Sequence, residues 1–136
     1  MFKNASALYA LAKKAIRYGT YGIIIILKKF YDLVKTGGPW DLKNKKEWKL
    51  NKGDYFIFNN LKLRADDPGN IHFGYVGSVL FSKPTLRMGA GMYQIYSGTS
   101  RWKYFMSYFD DPRDSAFIRY GVSLWTIYYK RYVFHI

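Results

Sequence analysis

The sequence predicts a single α+β domain that is mostly helical and carries one β-hairpin. Three observations support this class: apolar residues at helical spacing in several segments, two β-prone runs around a pair of asparagines, and glycine or proline at the segment boundaries. The 136 residues suit one compact domain. An apolar content of 49%, with 21% aromatic residues, is too high for a disordered chain.

Two helices are predicted in the first quarter of the chain. Apolar residues recur at helical spacing from Ala7 to Tyr18, and Ser6 is the expected cap. A second helix is expected from about Tyr21 to Lys35, stopped by the glycines and proline at 37–39. Because isoleucine favours strands, a strand over Ile23 to Ile26 is the alternative.

A polar, basic loop and a hairpin are predicted next. Residues 37–53 are rich in lysine, asparagine and glycine, which is typical of an exposed loop. The β-prone runs Tyr55 to Phe58 and Leu61 to Ala65 flank Asn59 and Asn60. Asparagine tolerates the positive φ of two-residue turns, so this segment indicates a β-hairpin.

The rest of the chain predicts three more helices. Two short apolar ones are expected over Phe73 to Phe81 and Thr85 to Tyr96. The last has the strongest start signal, with Asp111 as cap and Pro112 at the first helical position. Its apolar face continues to Tyr128.

Charge and composition restrict the function classes. Lys and Arg number 22 against nine acidic residues, a formal net charge of +13. Such a balance favours a polyanionic partner: nucleic acid, an anionic membrane, an acidic wall polymer or an acidic protein. A lysine-rich composition inherited from an AT-rich genome is the alternative explanation. The chain has no cysteine, which excludes thiol nucleophiles, thiolate metal sites and disulfides.

Two acidic motifs are the most informative local feature. The stretches 65–77 and 108–121 each contain an Asp-Asp-Pro step, and together they hold five of the nine acidic residues. These carboxylates either cap helices or build a site. Folded together, they would bind a divalent metal or divide the acid and nucleophile or base roles of glycoside hydrolysis. No cofactor is assured, and capping is favoured for Asp111 and Asp114.

His72 is the second candidate feature, because a neutral imidazole transfers protons near pH 7. In a metal-independent RNase it would act on a ribose hydroxyl or leaving oxygen, with Lys43, Lys45, Lys46 or Arg64 as the cation at the phosphate. Trp48 lies within the lysine-rich loop, a pattern suited to single-stranded nucleic acid or sugar polymers. The alternative is a partly buried histidine at a tight turn.

Four motifs in order then resemble a known family, the polymorphic toxin type 44 domain. They are GGPWDLK, RADDPGNIHFGYVGS, the segment Leu86 to Gln94 with its two glycines, and YFDDPRDSAFIRYG. The resemblance spans roughly Phe30 to Tyr129. It implies residues 1–29 as a helical lead-in, with a linker from a larger effector as one interpretation of it, and residues 30–136 as the toxin domain.

The resemblance implies a function and a set of polar residues. Domains of this kind are C-terminal modules of secreted bacterial effectors; they are delivered into rival cells, and a cognate immunity protein protects the producer. The implied activity is a nuclease, and we place RNA ahead of DNA as its substrate. The polar positions that carry over are Asp41, Lys43, Asp67, Asn70, His72, Asp110, Asp111 and Asp114.

The sequence therefore predicts a site and leaves two alternative functions open. The candidate catalytic residues are His72, Asp67, Asp41, Asp110 and Asp111. The candidate substrate-binding residues are Lys43, Lys45, Arg64, Asn70 and Trp48. A peptidoglycan hydrolase and a membrane-active, non-enzymatic toxin are the alternatives. No stable membrane insertion is expected, because the apolar run from Tyr21 to Leu27 is much shorter than the roughly 20 residues of a span.

Overall fold

The computed structural model describes residues 1–42, 55–81 and 110–129. Within these ranges it contains four α-helices and a two-stranded antiparallel sheet, which confirms the predicted α+β class. The helix predicted over 85–96, most of the basic loop and the tail after residue 129 lie outside the described residues.

The N-terminal region forms two helices that are joined by a short 3-10 turn. Helix α1 spans Phe2–Ala15, the turn spans Ile16–Tyr18, and α2 spans Gly19–Val34. Helix α1 begins earlier than predicted, with Met1 at its N-cap, so the capping role expected for Ser6 is wrong. No side chain caps α1 in the described structure, and the backbone N–H of Ala5 donates to the carbonyl oxygen of Met1 at 2.9 Å, so the helix is already formed before Ser6.

The four isoleucines belong to a helix, so the alternative strand is wrong. Ile26, Leu27, Phe30 and Val34 are each at most 2% exposed. Their spacing places them on one face of α2, and burial of that face outweighs the strand preference of isoleucine.

The predicted hairpin is confirmed. Strand β1 is Phe56–Phe58 and β2 is Leu61–Leu63, paired antiparallel in the register Phe56↔Leu63. Asn59 and Asn60 have φ of 47° and 64°, as a two-residue turn of this type requires. The Asn59 side chain also donates a 3.1 Å hydrogen bond to the Tyr120 hydroxyl, which ties the turn to the last helix.

Two further helices carry the acidic motifs. Helix α3 spans Asp67–Phe81, and α4 spans Pro112–Leu124 and continues into a π-helical turn, Trp125–Tyr129. The predicted start of α3 at Phe73 is wrong, since the helix already begins at Asp67. The Asp-Asp-Pro-Gly-Asn stretch resembles a turn, but proline is well suited to the first helical turn, where its missing N–H costs nothing.

Helices α3 and α4 run in the same direction and approach closely. Gly74 lies so near α4 that a Cβ atom there would sit 2.0 Å from the carbonyl oxygen of Ile118. Gly121 meets the carbonyl oxygen of Ile71 in the same way, also at 2.0 Å. The two glycines therefore allow backbone contact between the helices and bring both helix starts to the same end of the molecule.

Residues 1–29 pack into the same core as the rest of the chain. Ala5, Leu8 and Ala12 of α1 are buried, and Phe2 packs against Tyr129 with ring centroids 5.1 Å apart. Helix α2 continues across the predicted boundary between residues 29 and 30. The division into lead-in and toxin domain stays a prediction. Among the described helices, none is long and apolar enough to cross a membrane.

Candidate functional site

His72 lies on α3 with its side chain in the wall of a cavity. The side chain is 2% exposed. Its ring packs edge-on against Trp40, with the centroids 5.5 Å apart, and its Nε2 atom lies 2.9 Å from the amide nitrogen Nδ2 of Asn4. Trp40 comes from the turn after α2 and Asn4 from α1, so three separate segments fix the position of the imidazole.

The cavity beside His72 is partly open to solvent and has a volume of about 180 Å³. Its walls come from the start of α1, the hairpin, the start of α3 and the residue after Asp41. The lining residues are Met1, Leu42, Phe56, Ile57, Phe58, Leu63, Pro68, Ile71 and His72. Among these side chains only His72 is ionisable, so the cavity is an apolar slot with one titratable side chain in its wall.

Asp67 lies at the start of α3 and forms an ion pair with Arg113 of α4. Arg113 donates from Nε to Oδ1 at 3.1 Å and from Nη2 to Oδ2 at 2.5 Å. The backbone N–H of Arg64 also donates to Oδ2, at 2.7 Å. Asp67 is 1% exposed and Arg113 is 39% exposed by side chain. The hydrogen bond to Asp67 raises the pKa of the Arg113 guanidinium above its ordinary value.

A second polar contact joins the same two helices. The Asn70 side chain donates from Nδ2 to Asp114 Oδ1 at 2.8 Å. Asn70 is fully buried, and its Oδ1 atom has no hydrogen-bond partner among the described residues. Asp67, Asn70, Arg113 and Asp114 therefore form one polar cluster between the starts of α3 and α4.

Asp111 caps α4, as the sequence predicts. Its Oδ1 atom accepts hydrogen bonds from the backbone N–H groups of Arg113, at 2.7 Å, and Asp114, at 3.1 Å. Pro112 follows at the first helical position. These contacts satisfy two N–H groups that a helix start otherwise leaves unpaired.

We expect Asp111→Ala to lower the free energy of unfolding by about 1 kcal/mol, the usual cost of losing an N-cap. Asp111→Ser, which keeps a capping oxygen, should retain most of the stability. Urea unfolding of both variants measures this difference. Equal stability of the alanine and serine variants would show that the cap contributes nothing.

The remaining candidates are distributed over several places. Asp41 is 8% exposed and accepts a 2.9 Å hydrogen bond from the backbone N–H of Gly37, which closes the turn after α2. Asp110 and the Arg64 side chain are exposed. Lys43, Lys45 and Trp48 lie outside the described residues.

The structure thus separates two groups that share α3. Consecutive helical residues are rotated by roughly 100°, so His72 points about 140° around the helix axis from Asp67. The polar cluster faces α4, and His72 faces α1 and Trp40. Within the described part of the chain, no three His, Asp or Glu side chains are grouped closely enough to hold a metal ion.

Sequence reasoning did not identify three residues that hold these groups. Arg113 lies inside the second acidic motif. An arginine among aspartates was the signal that could have indicated an ion pair. Asn4 and Trp40 are 68 and 32 positions away from His72, and no spacing rule connects them to it.

Comparison with known proteins assigns the chain to a family. A family model described as bacterial toxin 44 matches residues 29–127, well over half of the chain. Neither the search of curated proteins nor the search of solved structures found a match. The matched range contains α3, α4, the hairpin and both acidic motifs, and its start lies within α2. The chain belongs to the bacterial toxin 44 family, and it is a bacterial toxin domain.

Proposed function

We propose that this toxin domain is a nuclease that cleaves RNA and uses His72 as its proton-transfer group. One observation carries the proposal: His72 is the ionisable side chain in the described wall of a solvent-open, apolar cavity.

The cavity offers one of the two proton transfers that a metal-independent cleavage of RNA requires from the protein. The ribose 2′-oxygen attacks the neighbouring phosphorus, and the bond from phosphorus to the 5′-oxygen breaks. One group takes the proton of the 2′-hydroxyl, and another delivers a proton to the departing 5′-oxygen. His72 supplies one of these transfers, and the apolar walls suit the flat face of a base.

Positive charge next to the cavity supports a phosphate-containing substrate. Lys62 lies on β2 opposite Ile57, whose side chain lines the cavity, and the exposed Arg64 follows that strand. In the sequence, the lysine-rich run at 43–54 connects Leu42 to the hairpin, and both of these line the cavity. The net charge of +13 attracts the phosphate backbone as a whole. We therefore assign Lys43, Lys45, Arg64 and Trp48 to substrate binding.

The family adds a biological setting to the proposal. A bacterial toxin domain is consistent with delivery into a target bacterial cell. RNA in the cytoplasm of that cell would then be accessible to it. A cognate immunity protein is then the partner that protects the producing cell.

The test is incubation of the purified protein with RNA, DNA and peptidoglycan sacculi, each with and without a chelator. We expect RNA to be cut to fragments that end in a 2′,3′-cyclic phosphate, equally well with the chelator. Cleavage of DNA alone, or loss of cleavage with the chelator, would contradict the mechanism. Release of sugar fragments from sacculi would support the wall hydrolase, and dye entry into vesicles without polymer cleavage would support the membrane-active toxin.

A further inference from the structure

The hydrogen bond between Asn4 and His72 joins the candidate site to a helix outside the family match. Asn4 lies on α1, and the match begins at residue 29. The Asn4 amide nitrogen Nδ2 lies 2.9 Å from Nε2 of His72. The contact therefore connects residues 68 positions apart and links the N-terminal helix to the proposed proton-transfer group.

The identity of the two atoms determines where the imidazole carries its proton. An amide nitrogen has N–H donors and no acceptor, so it donates and Nε2 must accept. A neutral imidazole has one N–H and one acceptor nitrogen. With Nδ2 of Asn4 facing Nε2, the proton of a neutral His72 ring is on Nδ1; with Oδ1 facing Nε2, it would be on Nε2.

Packing of α1 holds Asn4 in this position. Its neighbour Ala5 is fully buried, and Leu8 and Ala12 continue the buried stripe of the helix toward its C-terminal end. Asn4 itself is half-buried in the first turn of α1, and burial of the neighbouring Ala5 fixes the backbone that carries it beside His72.

We infer that Asn4 is a positioning residue, which sets the tautomer and ring orientation of His72. This inference rests on the proposed function of His72. Asn4 also suits both charge states of the ring. For Nε2 to take up a substrate proton, the Asn4 N–H must move off it; rotation of the amide by half a turn then presents Oδ1, which accepts from the Nε2–H of the imidazolium. Helix α1 thus completes a site whose other described residues belong to the matched family region.

The test is a measurement of the His72 tautomer by long-range ¹H–¹⁵N correlation NMR of histidine-labelled protein. His135, the second histidine, is removed by His135→Gln for assignment. In the otherwise unchanged protein we expect the signature of a proton on Nδ1. In Asn4→Asp, a carboxylate replaces the amide and can only accept, so we expect a proton on Nε2, first in the imidazolium that the carboxylate stabilises and, at higher pH, in the neutral ring. Lys3→Ala, an exposed change on the same helical turn, should leave the tautomer unchanged.

Cleavage of RNA provides the second readout. Asn4→Leu, which removes the donor and keeps a similar volume, is expected to lower the rate roughly 10- to 100-fold, the range seen when the outer partner of a functional imidazole is lost. Increased cleavage would overturn the inference, because α1 would then be an inhibitory cover.

The two readouts separate failure of this inference from failure of the proposed function. A proton on Nε2 in the starting protein, or no change of tautomer in Asn4→Asp, overturns the role of Asn4 whether or not RNA is cut. The expected tautomers together with an inactive protein would support the Asn4 contact and reject RNA cleavage.

Discussion

Replacing His72 with glutamine is expected to lower the rate of RNA cleavage by about 10²- to 10⁴-fold. That is the usual contribution of a positioned group that transfers a proton in the transition state. Glutamine is close in size to histidine and retains groups that hydrogen-bond Asn4, but it does not titrate near neutral pH. The loss would therefore report proton transfer more than packing.

Two controls make this result interpretable. His135→Gln removes the other histidine and should leave cleavage unchanged. Thermal unfolding must also be compared, because His72 is only 2% exposed and packs against Trp40, so His72→Ala would destabilise the core as well. Full cleavage by a folded His72→Gln variant would remove His72 from the mechanism.

Elements with local signals could be predicted from the sequence. The hairpin follows from two adjacent asparagines, whose positive φ values need no distant partner. The start of α4 follows from Asp111 and Pro112, since a cap acts on N–H groups two or three residues away. In both cases the determining interactions lie within a few residues.

The start of α3 could not be predicted in the same way, because its determinants are distant. The same Asp-Asp-Pro step lies at the start of both helices, yet the second aspartate acts differently in each. Asp111 caps its own helix, whereas Asp67 accepts from Arg113, 46 positions away, and from the backbone N–H of Arg64 before the helix. A turn and a helix start share this local composition, and tertiary contact distinguishes them.

The candidate site also combines a feature that the sequence shows locally with contacts that depend on distant residues. His72 was identified because histidine is rare in this chain and lies within a motif. Its contacts to Asn4 and Trp40 depend on how α1 and the turn after α2 pack against α3, which no short-range pattern encodes. His72 and Asp67 share a motif, but their side chains do not come together. They are five residues apart on one helix, so they point in different directions.

The polar cluster between α3 and α4 leads to a second large effect. We expect Arg113→Met to lower the free energy of unfolding by about 3 kcal/mol. The substitution leaves Asp67 as a buried carboxylate that retains the Arg64 N–H but loses its charged partner. The value is at the lower end of the range for leaving a buried charge without its partner, because Arg113 itself is 39% exposed.

A matched variant on the same helix separates this effect from a general loss of positive charge. Arg119 is exposed on α4, so Arg119→Met should change stability by less than about 0.5 kcal/mol. Urea unfolding of both variants, and of Asp67→Asn with and without Arg113→Met, gives the coupling between the two partners. Arg113→Met leaves the Asp67 charge without its partner, and Asp67→Asn removes that charge. The double variant should therefore be more stable than the sum of the two single changes predicts. Strict additivity would mean that Asp67 and Arg113 do not stabilise each other, and that the ion pair contributes nothing to holding the two helices together.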